Sequence, residues 1–100
     1  MIDLQRVAGF EWDAGNARKN EKHGVSQAEA EQIFVNEPLL LLPDNKHSHN
    51  EPRYYGLGKT DAERLLLVTF TLRGNGTRIR IISARPMHRK ERSIYEHKKP

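Results

Sequence analysis

The sequence predicts an α+β domain, and three observations carry that prediction. Capping and stop signals mark two short N-terminal helices, four aliphatic and β-branched runs follow them, and a basic amphipathic stretch ends the chain. With 100 residues there is room for one domain, residues 1–100. Hydrophobic residues make up 36% and charged residues 30%, against a usual apolar share of ~45–50%. The expectation is a small core beneath a heavily charged exterior.

Phe10-Glu11-Trp12 reads as a short aromatic strand. Asp13 is a good N-cap, and the straight-chain residues after it favour a first helix of about ten residues that ends at Lys22-His23-Gly24. Ser26 and Glu29 have the spacing of a capping box. They open a second helix whose apolar stripe is Ala30, Ile33 and Phe34 and which Asn36 and Pro38 stop. Strands are expected at Leu39–Leu42, Arg53–Leu57, Leu65–Arg73 and Thr77–Arg85, with the polar stretch from Pro43 to Pro52 as a mobile connector. Asn75-Gly76 tolerates the positive φ of a type I′ turn, so the last two strands should be antiparallel neighbours. His88 to Lys98 reads as a terminal helix with Met87, Glu91, Ile94 and Tyr95 along one side.

Seventeen Lys and Arg against thirteen Asp and Glu give a formal charge of +4 and a pI near 9.6. That balance favours anionic partners and leaves RNA, DNA and an acidic protein open. The absence of cysteine excludes disulfides, thiol nucleophiles and Cys-based zinc sites, and it suits the cytosol. The N-terminus lacks the apolar run of a secretory signal, and no stretch approaches the ~18–20 apolar residues that span a bilayer. A cytoplasmic location is expected, without membrane contact.

If Asn75 and Gly76 form a two-residue loop, Arg73 faces Arg78, Thr71 faces Arg80 and Thr69 faces Ile82. One face then carries three arginines. The other pairs Leu72 with Ile79, Phe70 with Ile81 and Val68 with Ser83, and it is the face that packs on the helices. Two readings of the arginine face stay open: a solvated surface neutralised by Glu51, Asp61 or Glu63, or a cradle for phosphate, whose oxygens match the planar guanidinium fork. Arg85, Arg89 and Arg92 extend the same surface.

Phe10-Glu11-Trp12-Asp13, then Asn20-Glu21-Lys22-His23-Gly24-Val25-Ser26, then Arg80-Ile81-Ile82-Ser83-Ala84-Arg85 with Glu91-Arg92 and Tyr95, resemble the BrnT toxin family. The three blocks span nearly the whole chain in the family's order. The resemblance implies a RelE-like fold, with two N-terminal helices on a mainly antiparallel sheet and a C-terminal helix. It also implies a type II toxin that cleaves RNA without a cofactor, inhibits translation and is neutralised by a BrnA-like, DNA-binding antitoxin in a hetero-oligomeric complex. Pro86-Met87 stands where the family usually has Lys-Ala, and Asn16 and Gln27 where it often has Lys and Phe. An alternative reading, resting on that missing lysine, is a basic binding module that partners a DNA-binding antitoxin without cleaving RNA.

Under the implied chemistry the ribose 2′-oxygen attacks the adjacent phosphorus, and the protein must orient it, take its proton and neutralise the phosphorane. Arg73, Arg80 and Arg85 are the candidates for neutralisation, with Arg78, Arg89, Arg92 and Lys22 as RNA contacts. His23 is the candidate proton acceptor, although its place before Gly24 also suits a helix C-cap; His88 is an alternative. Glu91 and Tyr95, one helical turn apart, either bond each other and so position Arg85 or tie the last helix to the sheet, and the structural role is the expected one for both. Trp12 reads as core before it reads as a base-stacking residue. Tyr54 and Tyr55 should point to opposite faces. His47-Ser48-His49 is a poor metal signal without a third ligand, so no metal site is assigned. The glycines of Gly56-Leu57-Gly58 and Gly74-Asn75-Gly76 read as turn or strand-end residues.

Overall fold

The computed structural model describes residues 2–17 and 21–98. Its centre is one mixed five-stranded sheet in the order β1-β5-β4-β3-β2. The strands are β1 (Gly9–Glu11), β2 (Leu40–Pro43), β3 (Arg53–Lys59), β4 (Leu65–Arg73) and β5 (Arg78–Pro86). Helices α1 (Ala14–Ala17) and α2 (Gln27–Gln32) precede β2, and α3 (Arg89–Lys98) follows β5. The α+β class and all four expected strands are present, the ends moving by one or two residues.

Capping signals act where the sequence puts them. The Ser26 hydroxyl accepts from the Glu29 N–H at 3.1 Å, and the Glu29 carboxylate accepts from the Ser26 N–H at 3.0 Å. Gly24 takes the left-handed conformation, φ 66°, that suits a residue just past a helical turn. The first helix is described only in part. Asp13 opens it by accepting from the Gly15 N–H at 2.8 Å, α1 runs to Ala17, and a 3-10 turn spans Glu21–His23; the expected helix between them falls partly outside the described residues. The second helix stops one residue before Ile33, and Ile33 and Phe34 pack from the turn that follows.

The β4–β5 hairpin turns at Asn75 and Gly76, whose φ values of 56° and 86° are those of a type I′ turn. The Thr77 N–H closes it on the Gly74 carbonyl at 3.2 Å. Arg73↔Arg78, Leu72↔Ile79, Thr71↔Arg80 and Phe70↔Ile81 pair as expected. Beyond them the register corrects the expectation: Thr69 faces Ser83 and Val68 faces Ala84, because Ile82 is an extra residue in a bulge. This bulge puts Ala84 on the apolar face and Arg85 on the face that carries Arg80, opposite Leu67.

The two faces are covered differently. On one, Leu66, Val68, Phe70, Ile79, Ile81 and Ala84 pack against Val25, Ala30 and Ile33 of the α2 region. Gly56 and Gly58 lie inside β3 and make room for this contact, correcting their reading as turn or strand-end residues. A Cβ at Gly58 would stand 2.9 Å from the Ile33 Cβ. Phe10, Phe34, Phe70 and Tyr54 form a chain of aromatic contacts on the same side. On the opposite face Leu57, Leu67, Met87 and Tyr95 form a second, smaller core under α3. The Tyr95 hydroxyl donates to the Pro38 carbonyl at 2.6 Å, which ties α3 to the chain entering β2. The arginine face is therefore partly roofed by α3, where the sequence suggested an open surface.

Candidate active site

β1 is an edge strand, and it pairs parallel to β5, with Glu11 beside Arg80. That pairing brings a carboxylate into the centre of the arginine face. Glu11 lies 3.5 Å from Arg73, 3.6 Å from Arg78 and 3.4 Å from Arg80. Asp13 grips Arg80 with two bonds of 2.8 and 3.0 Å, and Glu51 holds Arg73 with bonds of 3.1 and 3.0 Å. Of the expected neutralising acids only Glu51 takes part; Asp61 accepts from Asn36 and Glu63 pairs with Lys59, both at the β3–β4 turn. The Arg80 bonds hold the Asp13 carboxyl below its ordinary value, and the Asp13 bonds raise the Arg80 guanidinium. Arg80 is the least accessible of the three, its side chain 16% exposed against 40% for Arg73 and 51% for Arg78.

Arg85 is built into a separate clamp. Its two terminal nitrogens each donate to one Glu91 oxygen at 2.7 Å. Glu91 also accepts from the His88 N–H at 2.7 Å, so one carboxylate caps the positive end of α3 and fixes the guanidinium. Both Glu91 and Tyr95 tie α3 to the sheet, as expected, and Glu91 holds Arg85 directly, with the Tyr95 hydroxyl on Pro38 and not on Glu91. The Arg85 bonds keep the Glu91 carboxyl below its ordinary value of 4.5. A group whose folded value is lowered stabilises the fold above its unfolded value and loses that contribution as pH falls through the folded one. Wild-type protein should therefore lose urea resistance between pH 7 and pH 3 more steeply than Glu91→Gln; parallel losses would mean that the clamp carries none of the acid sensitivity.

Three rungs of the sheet span these clusters. Glu11, Arg80, Thr71 and Arg53 share one, Ser83, Thr69 and Tyr55 the next, and Arg85, Leu67 and Leu57 the third. Rungs on one face repeat every ~6.6 Å, so the arginine rungs stand ~13 Å apart with a polar floor between them. Tyr55, Leu67, Arg85, Glu91 and Ile94 line a groove of about 390 Å³ beside α3. Tyr54 points to the other face, against Phe70. Burial pushes the Tyr55 phenol up, and the facing Asp44 carboxylate pushes it further.

The sequence-nominated residues do not all converge. Arg73, Arg78 and Arg80 meet on Glu11, and Arg85 sits on the same face at the far rung. Arg92 donates to the Met87 carbonyl at 3.0 Å, and Arg89 is exposed on α3. His23 and Lys22 end the 3-10 turn before Gly24, whose carbonyl accepts from Arg64. This is the β3–β4 end of the sheet, ahead of Val25 in the α2-side core, and away from the Arg73–Arg80 cluster. Trp12 packs on the core and donates to Glu31 at 2.7 Å. Among the described residues no three His, Asp or Glu side chains gather as a metal site, and no helix is long and apolar enough to cross a membrane.

Two buried polar residues have roles that the sequence reading did not assign. Asn16 is buried at 2% exposure and donates to the Glu11 and Ile81 carbonyls at 2.9 and 2.8 Å. It welds α1 to β1 and β5. Asp44, 3% exposed, lies in the segment expected to be a mobile connector. There a 3-10 turn spans Asn45–His47, the Asp44 N–H donates to the Arg53 carbonyl at 2.8 Å, and Ser48 bridges Asp44 and Arg53.

The model of the ribonuclease toxins named BrnT, of type II toxin–antitoxin systems, matches residues 12–91. The chain belongs to the BrnT family. A search of curated protein sequences returns no match. The matched span runs from Trp12 to Glu91 and includes the arginine face, the Arg85–Glu91 clamp and the Asp44 segment. BrnT membership makes ribonuclease activity and an antitoxin partner properties of the family to which these side chains belong.

Proposed function

We propose that this BrnT chain is a metal-independent endoribonuclease that cleaves RNA by attack of the ribose 2′-hydroxyl on the adjacent phosphate. In the cell this cleavage inhibits translation, and a BrnA-like, DNA-binding antitoxin neutralises it in a cytoplasmic complex. The helix-on-sheet arrangement is read as RelE-like. One observation carries the reading: guanidinium groups held in place by carboxylates flank a polar floor of Ser83, Thr69 and Tyr55. Donors fixed before the substrate arrives stabilise developing phosphorane charge without reorganising in the transition state. Arg73 and Arg78, the more exposed of the cluster, contact the RNA backbone, and Arg85 lies at the other end of the floor. Arg89, Arg92 and Lys22 add charge outside it.

A second reading, a basic module that binds an antitoxin without cleaving, draws on the same carboxylates, since Glu11, Asp13 and Glu51 already balance Arg73, Arg78 and Arg80. A cleavage assay separates the two. Purified protein in excess chelator should cut single-stranded RNA, leave a 2′,3′-cyclic phosphate or its hydrolysis product, and spare a substrate with 2′-deoxyribose at the cut. Cleavage that appears only with added divalent ion would overturn the metal-independent mechanism. RNA left intact under both conditions would favour the binding module.

A further inference from the structure

The proposed cleavage needs a group to take the 2′-hydroxyl proton, and His23 stands in the turn before Gly24, at the β3–β4 end of the sheet and away from the Arg73–Arg80 cluster. His47 has the required surroundings. Its Nδ1 sits 3.0 and 3.2 Å from the two oxygens of the Asp44 carboxylate, while its side chain remains 53% exposed. Asp44 is fixed by its own backbone bond to Arg53, by the Ser48 hydroxyl on its carbonyl, and by its burial. A carboxylate at Nδ1 selects the tautomer with the proton there and leaves the Nε2 lone pair directed away from it.

Two further observations join this pair to the arginine face. His47, His49, Asn50, Glu51 and Arg53 line a cavity of about 210 Å³. Arg53 shares its rung with Thr71 and Arg80, and Glu51 is the carboxylate that grips Arg73. The imidazole thus borders a cavity whose wall is continuous with the phosphate-facing cluster. Tyr55, from β3, stands beside the Asp44 carboxylate as well.

We infer that His47 is the proton-transferring catalytic residue of this ribonuclease and that Asp44 is its positioning residue. The assignment rests on the ribonuclease reading above. Nε2 takes the proton of the 2′-hydroxyl as the 2′-oxygen bonds to phosphorus. The bond from phosphorus to the 5′-oxygen breaks, that oxygen takes a proton from water, and the imidazolium returns its proton to solvent. The products are a 2′,3′-cyclic phosphate and a 5′-hydroxyl. Burial alone would push the Asp44 carboxyl up, but the bonded His47 ring and the nearby Tyr55 hydroxyl reverse this and hold it below its ordinary value.

The test compares wild type, His47→Ala, Asp44→Asn and the double variant for kcat and KM on one RNA, with urea unfolding as the control for folding. His47 is half-exposed, so His47→Ala should fold like wild type. Its kcat should fall by about 10²-fold or more at unchanged KM, as expected for loss of a general base, and added imidazole should restore part of it. The double variant should be no slower than His47→Ala, because a positioning residue acts only through the group it holds. Wild-type kcat in His47→Ala, or a loss confined to KM, would overturn the assignment and leave the ribonuclease reading intact. If wild-type protein leaves RNA uncut, the ribonuclease reading falls, and the assignment with it.

Discussion

Asn16→Leu is expected to lower the melting temperature by well over ten degrees. Leucine fits the volume but removes both amide donors from the Glu11 and Ile81 carbonyls and the acceptor used by the Asp13 N–H, a bond of 2.7 Å. A buried backbone group stripped of its partner costs about 1–3 kcal/mol. A total of about 3 kcal/mol corresponds to about 12–24 °C for a domain of this size. Thermal unfolding followed by circular dichroism, with Asn45→Ala as an exposed control, measures it. A shift within 3 °C of the control would mean that the three groups find other partners. The consequence reaches the site, because Glu11 carries the acid on which Arg73, Arg78 and Arg80 meet.

The second large effect concerns Arg85. Replacement by alanine should reduce kcat on RNA by about 10²–10³-fold, the usual loss for one transition-state donor, about 2.7–4 kcal/mol. Arg85→Lys retains the charge but cannot grip two oxygens of Glu91 at once, so it should lose more in turnover than in RNA affinity. Binding is measured on a 2′-deoxy analogue and turnover on the matching RNA. An equal fall in both would make Arg85 a binding residue. A collapse of thermal stability with unchanged turnover of the folded fraction would make the clamp purely structural.

Local signals were legible because neighbouring residues settle them. The Ser26–Glu29 capping box, the Asn75-Gly76 turn and the opposite orientations of Tyr54 and Tyr55 depend on residues a few positions apart. The arginine cluster was legible for the same reason, since one turn sets the first four pairs of the hairpin. What neutralises it was not. Glu11 reaches Arg80 through a parallel pairing between residues 69 positions apart, and nothing in a three-residue edge strand announces its partner. Asp44 and His47 looked like part of a polar connector because composition reports average polarity, while burial of one carboxylate depends on how Ser48, Arg53 and Tyr55 close around it. His23 drew attention through its neighbours in sequence, yet its 3-10 turn meets β5 away from the Arg73–Arg80 cluster.

The bulge at Ile82 makes β5 a strand of two phases. On the turn side even-numbered residues Arg78 and Arg80 face the site; past Ile82 the odd-numbered Ser83 and Arg85 do. Arg85 owes its orientation to a residue count as much as to its own chemistry. If Ile82 took an ordinary place in the alternation instead of bulging, Arg85 would turn beneath α2 and Ala84 onto the site, although every side chain named in the mechanism would still be encoded. Side-chain replacements along Ile81-Ile82-Ser83 preserve the frame and loss of Ile82 would only close the bulge, whereas one further inserted residue exchanges inside for outside over the remainder of the strand. Among relatives of this chain, an insertion inside this strand is thus a sharper sign of a lost active site than many changes of residue type.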